Sequence, residues 1–272
     1  MTELLKDITL CAFDIETSGA YPLSSEICEI AGVKWKNGEI IDRYQSLIKP
    51  THQMSDFIIT IHGITNEMVA DAPRIEDKIE EFYNFIQGAH CVGHHAPFDM
   101  GFVSIEFEKK KLLPPTIPGF CSSLIARYMF PESVNHKLQT LVPFLNIPQN
   151  TAHRAYDDAV SCLEVTKKCI DKFGWEKTTD DLFKIQGKKM LWPNFYLAEI
   201  IKNPVLSPLV DAIKEQREAR VVFRHYNKDK NEKIKPVGLV RNPDGDYIFA
   251  HSTEEKRVKR YYLNKIIESE II

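Results

Sequence analysis

The chain has 272 residues, enough for one large domain or for a medium domain with a small one beside it. At 43% hydrophobic and 27% charged it has the composition of an ordinary folded protein, which excludes the disordered and fibrous classes. A formal net charge of −3 excludes a global electrostatic pull toward nucleic acid, so a polyanion bound here needs local patches or cations to hold it. The six cysteines (Cys11, Cys28, Cys91, Cys121, Cys162 and Cys169) lie far apart, without a CxxC pair and mostly inside apolar runs. That pattern predicts buried free thiols in a reducing compartment rather than a disulfide framework or a zinc site. Acids stand at Glu3 and Asp7, where a signal peptide needs a basic region, and no run approaches the ~20 apolar residues of a membrane span. The expectation is a cytoplasmic protein without a membrane partner.

In chain order, the apolar β-rich run Ile8 to Phe13 predicts a buried strand. Cys28 to Trp35 and Ile40 to Ile48 flank Asn37-Gly38, a hairpin signal, so the first three strands should form a meander. Between Asn66 and Ile86 the apolar spacing turns helical, with Ile75, Ile79, Phe82, Phe85 and Ile86 three or four residues apart. A short strand follows from Ala89 to Gly93. Helices are then predicted over Met100 to Lys111, Leu124 to Met129, Leu138 to Leu145 and Ala155 to Phe173. Strands followed by helices in this order give an α/β domain over residues 1–175, with a mixed sheet and helices packed on it. Residues 176–206, carrying Gly187, Pro193 and Pro204, read as a connector.

From 207 to 272 the character changes to a small β-rich domain. After a short helix near Asp211, the runs Arg220 to Tyr226, Ile234 to Val240 and Asp246 to His251 alternate or are rich in β formers, with a turn at Asn242 to Gly245. This segment holds 14 Lys+Arg against 11 Asp+Glu, while the remainder of the chain carries a balance of −6.

Three clusters carry chemistry. Asp14 and Glu16 end the first strand at a spacing of two, which puts both carboxylates on one face of the sheet. Two carboxylates that close repel unless a hard cation sits between them. Asp99 follows the short strand ending in Gly93-His94-His95, at a helix start where an acid alone reads as a cap. His153 stands at the mouth of the last helix, with Asp157 and Asp158 in its first turn. A histidine there suits a general base near neutrality, and an acid five residues on can hold a metal. Singly, each cluster is equally at home as a solvated strand end, a helix cap or a dipole contact.

Taken together, these clusters resemble the DEDDh family of 3′→5′ exonucleases, the group that contains proofreading subunits of replicative polymerases. The family's Asp-x-Glu-Thr-x-Gly motif matches Asp14 to Gly19, its second motif matches His94 to Asp99, and His-x-Ala-x-x-Asp-Ala matches His153 to Ala159, selecting Asp158 over Asp157. His62-Gly63-Ile64-Thr65 and Leu138 to Ile147 are similar to the intervening family segments. The resemblance spans Ile8 to Phe173. It implies an RNase H-like fold and two divalent ions, Mg²⁺ or Mn²⁺, held by Asp14, Glu16, Asp99 and Asp158, with His153 as general base. It also implies release of 5′-mononucleotides from 3′ ends of single-stranded DNA or RNA, and a terminal nucleotide lined by Thr17, Gly19, His62 and Ile64. The chain departs from the family at His95, where Asn is common, and at Ser122-Ser123, where an Asp-Thr pair is common. The alternative class is a non-catalytic 3′-end binder or a ligand-sensing regulator built on the same fold.

Arg220 to Ile266 resembles a WYL domain, a small SH3-like barrel, through Val221 to Tyr226, Lys235 to Leu239, Gly245 to Phe249 and Arg257 to Ile266, with Asp246 in place of the name-giving Trp. That resemblance implies nucleic acid, a small ligand or a partner as its target. Arg257, Lys259 and Arg260 beside Tyr261 and Tyr262 combine charge with stacking surface, as single-strand binding needs. The same pattern also fits a solvated strand face with its aromatics in the core.

Overall fold

The computed structural model describes residues 2–148, 153–226, 228–242, 245–253 and 257–272. Its contacts divide the chain into two units. The first, residues 1–18 and 27–194, is built on a sheet of order β3-β2-β1-β4-β5. The central strand β1 (Leu10–Thr17) pairs antiparallel with β2 (Ile27–Lys36), which pairs antiparallel with β3 (Glu39–Leu47) across the predicted Asn37-Gly38 turn. Both turn residues have positive φ, 52° and 92°, the geometry a two-residue hairpin requires. Helices α1 (Asp56–His62) and α2 (Ile75–Ile86) lead to β4 (His90–Gly93), parallel to β1, and then α3 (Pro97–Lys109). A two-residue strand β5 (Phe120–Cys121) runs parallel to β4 and opens into α4 (Ser122–Met129), followed by α5 (Leu138–Phe144), α6 (Ala155–Phe173) and α7 (Thr179–Gln186).

The period-two alternation of β1 divides its side chains between two layers. Leu10 and Ala12 face a core shared with Ala159, Leu163 and Ile170 of α6, while Phe13 stacks at 6.2 Å from Trp192 and tilts against Phe82 of α2 at 5.7 Å. Asp14 and Glu16 continue the Leu10–Ala12 row, so the acids project on the α6 side of the sheet. The strand runs through both acids to Thr17 rather than stopping at Phe13, because Glu16 still pairs with Glu29 on β2 before a bulge shifts the register. All six cysteines are buried and unpaired, as their apolar neighbourhoods predict.

The connector expected over residues 176–206 is largely structured. A capping box between Thr178 and Asp181 starts α7, and Leu182 and Phe183 enter the core of the first unit. The division between units falls after Asn194. No helix among the described residues is long and apolar enough to cross a membrane.

The second unit comprises residues 19–26 and 195–272. Helices α8 (Ala198–Lys202) and α9 (Ser207–Lys214) precede strands β6 (Ala219–His225), β7 (Lys228–Val240), β8 (Tyr247–Ser252), β9 (Arg257–Tyr262) and β10 (Ile266–Ile271). Their sheet is antiparallel throughout, in the order β10-β6-β7-β8-β9. Part of the turn at Asn242 to Gly245 lies outside the described residues. Of the basic and aromatic residues on β9, Lys259 and Tyr261 turn inward. The Lys259 ammonium lies 3.0 Å from a Glu232 carboxylate oxygen, and the Tyr261 hydroxyl donates to the same carboxylate at 2.7 Å. For these two residues the core reading holds over the strand-binding one, because buried Glu232 needs both as partners.

Candidate active site

The acids come together where β1, α3 and α6 meet. Gly93 ends β4 so close to the start of α3 that a Cβ there would lie 2.8 Å from the Ala96 backbone and 3.3 Å from an Asp99 carboxylate oxygen. This tight junction sets Asp99 in the first turn of α3, fully buried, with one oxygen accepting the Ile15 backbone N–H of β1 at 3.3 Å. On α6, Asp158 accepts the backbone N–H of His153 at 3.0 Å, which fixes the loop presenting His153. One cavity of about 560 Å³ is lined by Asp14, Glu16, Asp99, Asp158 and His153. Asp157, the neighbouring acid, is outside it.

Four carboxylates in one buried place strain one another. Burial, with the charges of Asp158, Glu29 and Asp99, pushes Glu16 to about 8. Burial, reinforced by Asp158, likewise pushes Asp99 to about 8. Asp14 is held well above the usual carboxylate range by burial and then by Asp99, Glu16 and Asp158. Among the described residues, no lysine or arginine forms an ion pair with Asp14, Glu16, Asp99 or Asp158, although the Arg154 charge partly offsets the rise at Glu16. Ligand atoms of Glu16, His153 and Asp158 lie within 4.8 Å of one another, with Asp14 and Asp99 in the same cavity. An oxygen-dominated donor set with uncompensated negative charge fits hard divalent cations such as Mg²⁺ or Mn²⁺.

The residues implied for the terminal nucleotide are placed differently. Thr17, Gly19, His62 and Ile64 do not line this cavity. Ile64 is wholly buried, packed with Cys28, Met54 and Val69. His62 is also buried: its Nδ1 accepts the Ile64 N–H at 3.0 Å and its ring engages the Thr17 backbone. The His62 to Thr65 segment therefore braces the end of β1 from behind, a packing role that its polar residues did not reveal.

Two features at the site escaped the sequence reading. The first is Glu29 on β2, wholly buried opposite Glu16. It accepts from the Arg154 guanidinium at 2.9 and 3.1 Å, from Gln45 at 2.9 Å and from the Ala155 backbone N–H at 3.1 Å. Burial opposes its charge, but these donors prevail and hold its carboxyl below the usual value. Glu29 thus caps α6 from another strand and pins the turn that carries His153 and Asp158. The second is the basic lining of the cavity, where Arg127 and Lys137 join His95. His94, which also lines the cavity, spans the gap to the loop after α4. Burial drives its pKa to about 4, so it is neutral; its Nε2–H donates to the His136 carbonyl at 2.9 Å and its Nδ1 pairs with Ser122 Oγ at 2.8 Å. His95 sits at φ 73°, the left-handed region where Asn and His are both enriched, which explains how His can stand where Asn is common.

A five-stranded mixed sheet flanked by helices, with carboxylates gathered above its central strand, defines a nuclease of the RNase H-like class. The chain belongs to the exonuclease family: the model described as Exonuclease matches residues 11–166, and a WYL domain model matches residues 204–271. It is 38% identical to the PolC-type DNA polymerase III of Bacillus cereus over 155 residues, 57% of this chain. That stretch covers only 11% of the polymerase. Among solved structures, Exonuclease X in complex with 5′ overhanging duplex DNA is 28% identical, covering 65% of this chain and 99% of that one at a TM-score of 0.50. The nuclease domain of 3′hExo, a DEDDh family member bound to rAMP, shares the fold at 18% identity and a TM-score of 0.54, covering 64% and 96% of the two chains.

Proposed function

We propose that this nuclease is a 3′→5′ exonuclease that depends on divalent metal ions and releases 5′-mononucleotides from the ends of DNA or RNA strands. The observation that carries the reading is the convergence of Asp14, Glu16, Asp99 and Asp158 with His153 in one cavity. A protein that only gripped a 3′ end would gain nothing from four acids facing a polyanion, so the non-catalytic alternative leaves the cluster without a purpose. Nucleic acid as substrate is supported by the relatives, whose described complexes contain duplex DNA and rAMP.

In this mechanism Asp14, Glu16, Asp99 and Asp158 would hold two Mg²⁺ or Mn²⁺ ions. When bound, such ions supply neutralisation of the charge that develops on the attacking and leaving oxygens of an in-line displacement at phosphorus. His153, exposed at the cavity mouth, takes the proton of the attacking water, and its backbone N–H fixes the Asp158 carboxylate. Buried Asp99, tied to the Ile15 N–H, keeps α3 and β1 in register so that the carboxylates cannot drift apart. Glu29 and Arg154 set the first turn of α6 and with it the separation of His153 from Glu16.

Oligonucleotides labelled at either end test the proposal. With Mn²⁺, 5′-labelled strands should shorten one nucleotide at a time, while 3′-labelled strands should lose their label at once as a mononucleotide. Release of the 5′ label as a mononucleotide, or internal cuts alone, would overturn the polarity.

A further inference from the structure

The cavity that holds the acids is also lined by His95 at the β4–α3 junction, Arg127 in the last turn of α4, and Lys137 just before α5. Several cations elsewhere on the surface are tied to carboxylates: Lys6 to Glu176, Lys109 to Glu106, Lys184 to Asp181 and Lys189 to Asp180. Among the described residues, the Arg127 and Lys137 side chains make no such pair. Arg127 lies near enough to His95 that, after burial, its charge is what holds that histidine below its ordinary value.

The segment presenting Lys137 is knit from within. Ser133 Oγ donates to the Asn135 carbonyl at 2.7 Å, the Lys137 N–H donates to Asn135 Oδ1 at 3.0 Å, and His136 Nε2 bonds the Phe130 carbonyl at 2.9 Å. Neutral His94 then ties the His136 carbonyl to the floor of the cavity. A loop held this firmly gives the Lys137 backbone a fixed place at the cavity, from which its side chain can reach a second charge.

We infer that His95, Arg127 and Lys137 form a phosphate subsite that holds the backbone phosphate adjacent to the scissile one, so that the enzyme selects a polynucleotide end over a single nucleotide ester. This rests on the exonuclease reading above. The acid half of the cavity needs cations to accept a phosphate. The basic half accepts one directly, through the planar fork of Arg127 and the point charge of Lys137.

The test compares two substrates in Mn²⁺: a single-stranded oligonucleotide, and the p-nitrophenyl ester of thymidine 5′-monophosphate, which has no second phosphate. Arg127→Ala/Lys137→Ala should lose at least about tenfold more kcat/KM on the oligonucleotide than on the ester. The salt dependence of oligonucleotide binding should flatten by about 1.4 in log–log slope for two lost contacts on a single strand. The charge-preserving Arg127→Lys/Lys137→Arg should recover most of the loss, and thermal melting should confirm that each variant folds. Equal losses on both substrates, or an unchanged salt slope, would overturn the subsite. Wild-type protein that cleaves neither substrate would instead overturn the exonuclease reading itself.

Discussion

Replacing Glu29 by Ala should cost the first unit much of its stability and displace the catalytic turn. The carboxylate is wholly buried and accepts four hydrogen bonds, three of them from Arg154 and the start of α6. Removing one partner of a fully buried pair costs about 3–5 kcal/mol, because the other charge is stranded. Arg154 keeps 33% of its side chain exposed, so its guanidinium regains some hydration, and about 2–4 kcal/mol is expected. Glu29→Gln keeps the shape and some acceptors and should cost about 1–2 kcal/mol. In a double-mutant cycle with Arg154→Ala the two should couple by about 1–3 kcal/mol. All three tryptophans, Trp35, Trp175 and Trp192, lie in the first unit, so denaturation followed by their fluorescence reports that unit alone. Since His153 and Asp158 hang from the same turn, kcat should fall by about 10² with KM little changed. Additive effects of Glu29→Ala and Arg154→Ala, or a Glu29→Ala variant as stable as the parent, would refute the capping argument.

His153→Ala should lower kcat by about 10² to 10⁴ at saturating metal, and an unchanged rate would remove the general-base role. Glu16 and Asp99 titrate higher in the metal-free fold than in the unfolded chain, where they have ordinary values of 4.5 and 3.8. Their contribution to stability is therefore fully present below those values and is lost as pH rises through about 8. In chelator, the melting temperature should fall across that window and recover on addition of Mg²⁺; a flat profile would mean that the acids do not strain one another. In the second unit, a Cβ at Gly238 would run into the Tyr21 ring, which packs on Phe249 at 5.3 Å. Gly238→Ala should destabilise that unit by about 1–3 kcal/mol, measured by near-ultraviolet circular dichroism on melting.

Much of the first unit was legible because its sequence obeys one period at a time. Helix α6 spans the predicted Ala155 to Phe173, and the Asn37-Gly38 hairpin joins β2 to β3 as expected. Helix α1 went unpredicted because the continuous β-rich run Phe57 to Ile61 carries no helical period; the Ser55 cap and the left-handed Gly63 decide for helix. The two-residue β5 is too short to carry a pattern, and α7 was hidden in a stretch judged by its breakers rather than by the Thr178–Asp181 box. The acids were readable from spacing and motif. Glu29, Arg127 and Lys137 were not: an acid within a strand resembles a solvated charge until Arg154 and the start of α6 close on it, and two exposed cations at helix ends resemble any others until the fold brings them to one cavity. The packing of Ile64 was hidden for the opposite reason: an apolar residue within a motif was given to the substrate, and its burial with Cys28, Met54 and Val69 shows only in the fold.

The most direct measurement of the central claim is anomalous diffraction from crystals soaked in Mn²⁺. The account predicts peaks enclosed by the oxygens of Asp14, Glu16, Asp99 and Asp158, and their loss in Asp14→Ala. Carboxylates splayed apart with no anomalous signal among them, at Mn²⁺ concentrations that support cleavage, would contradict it.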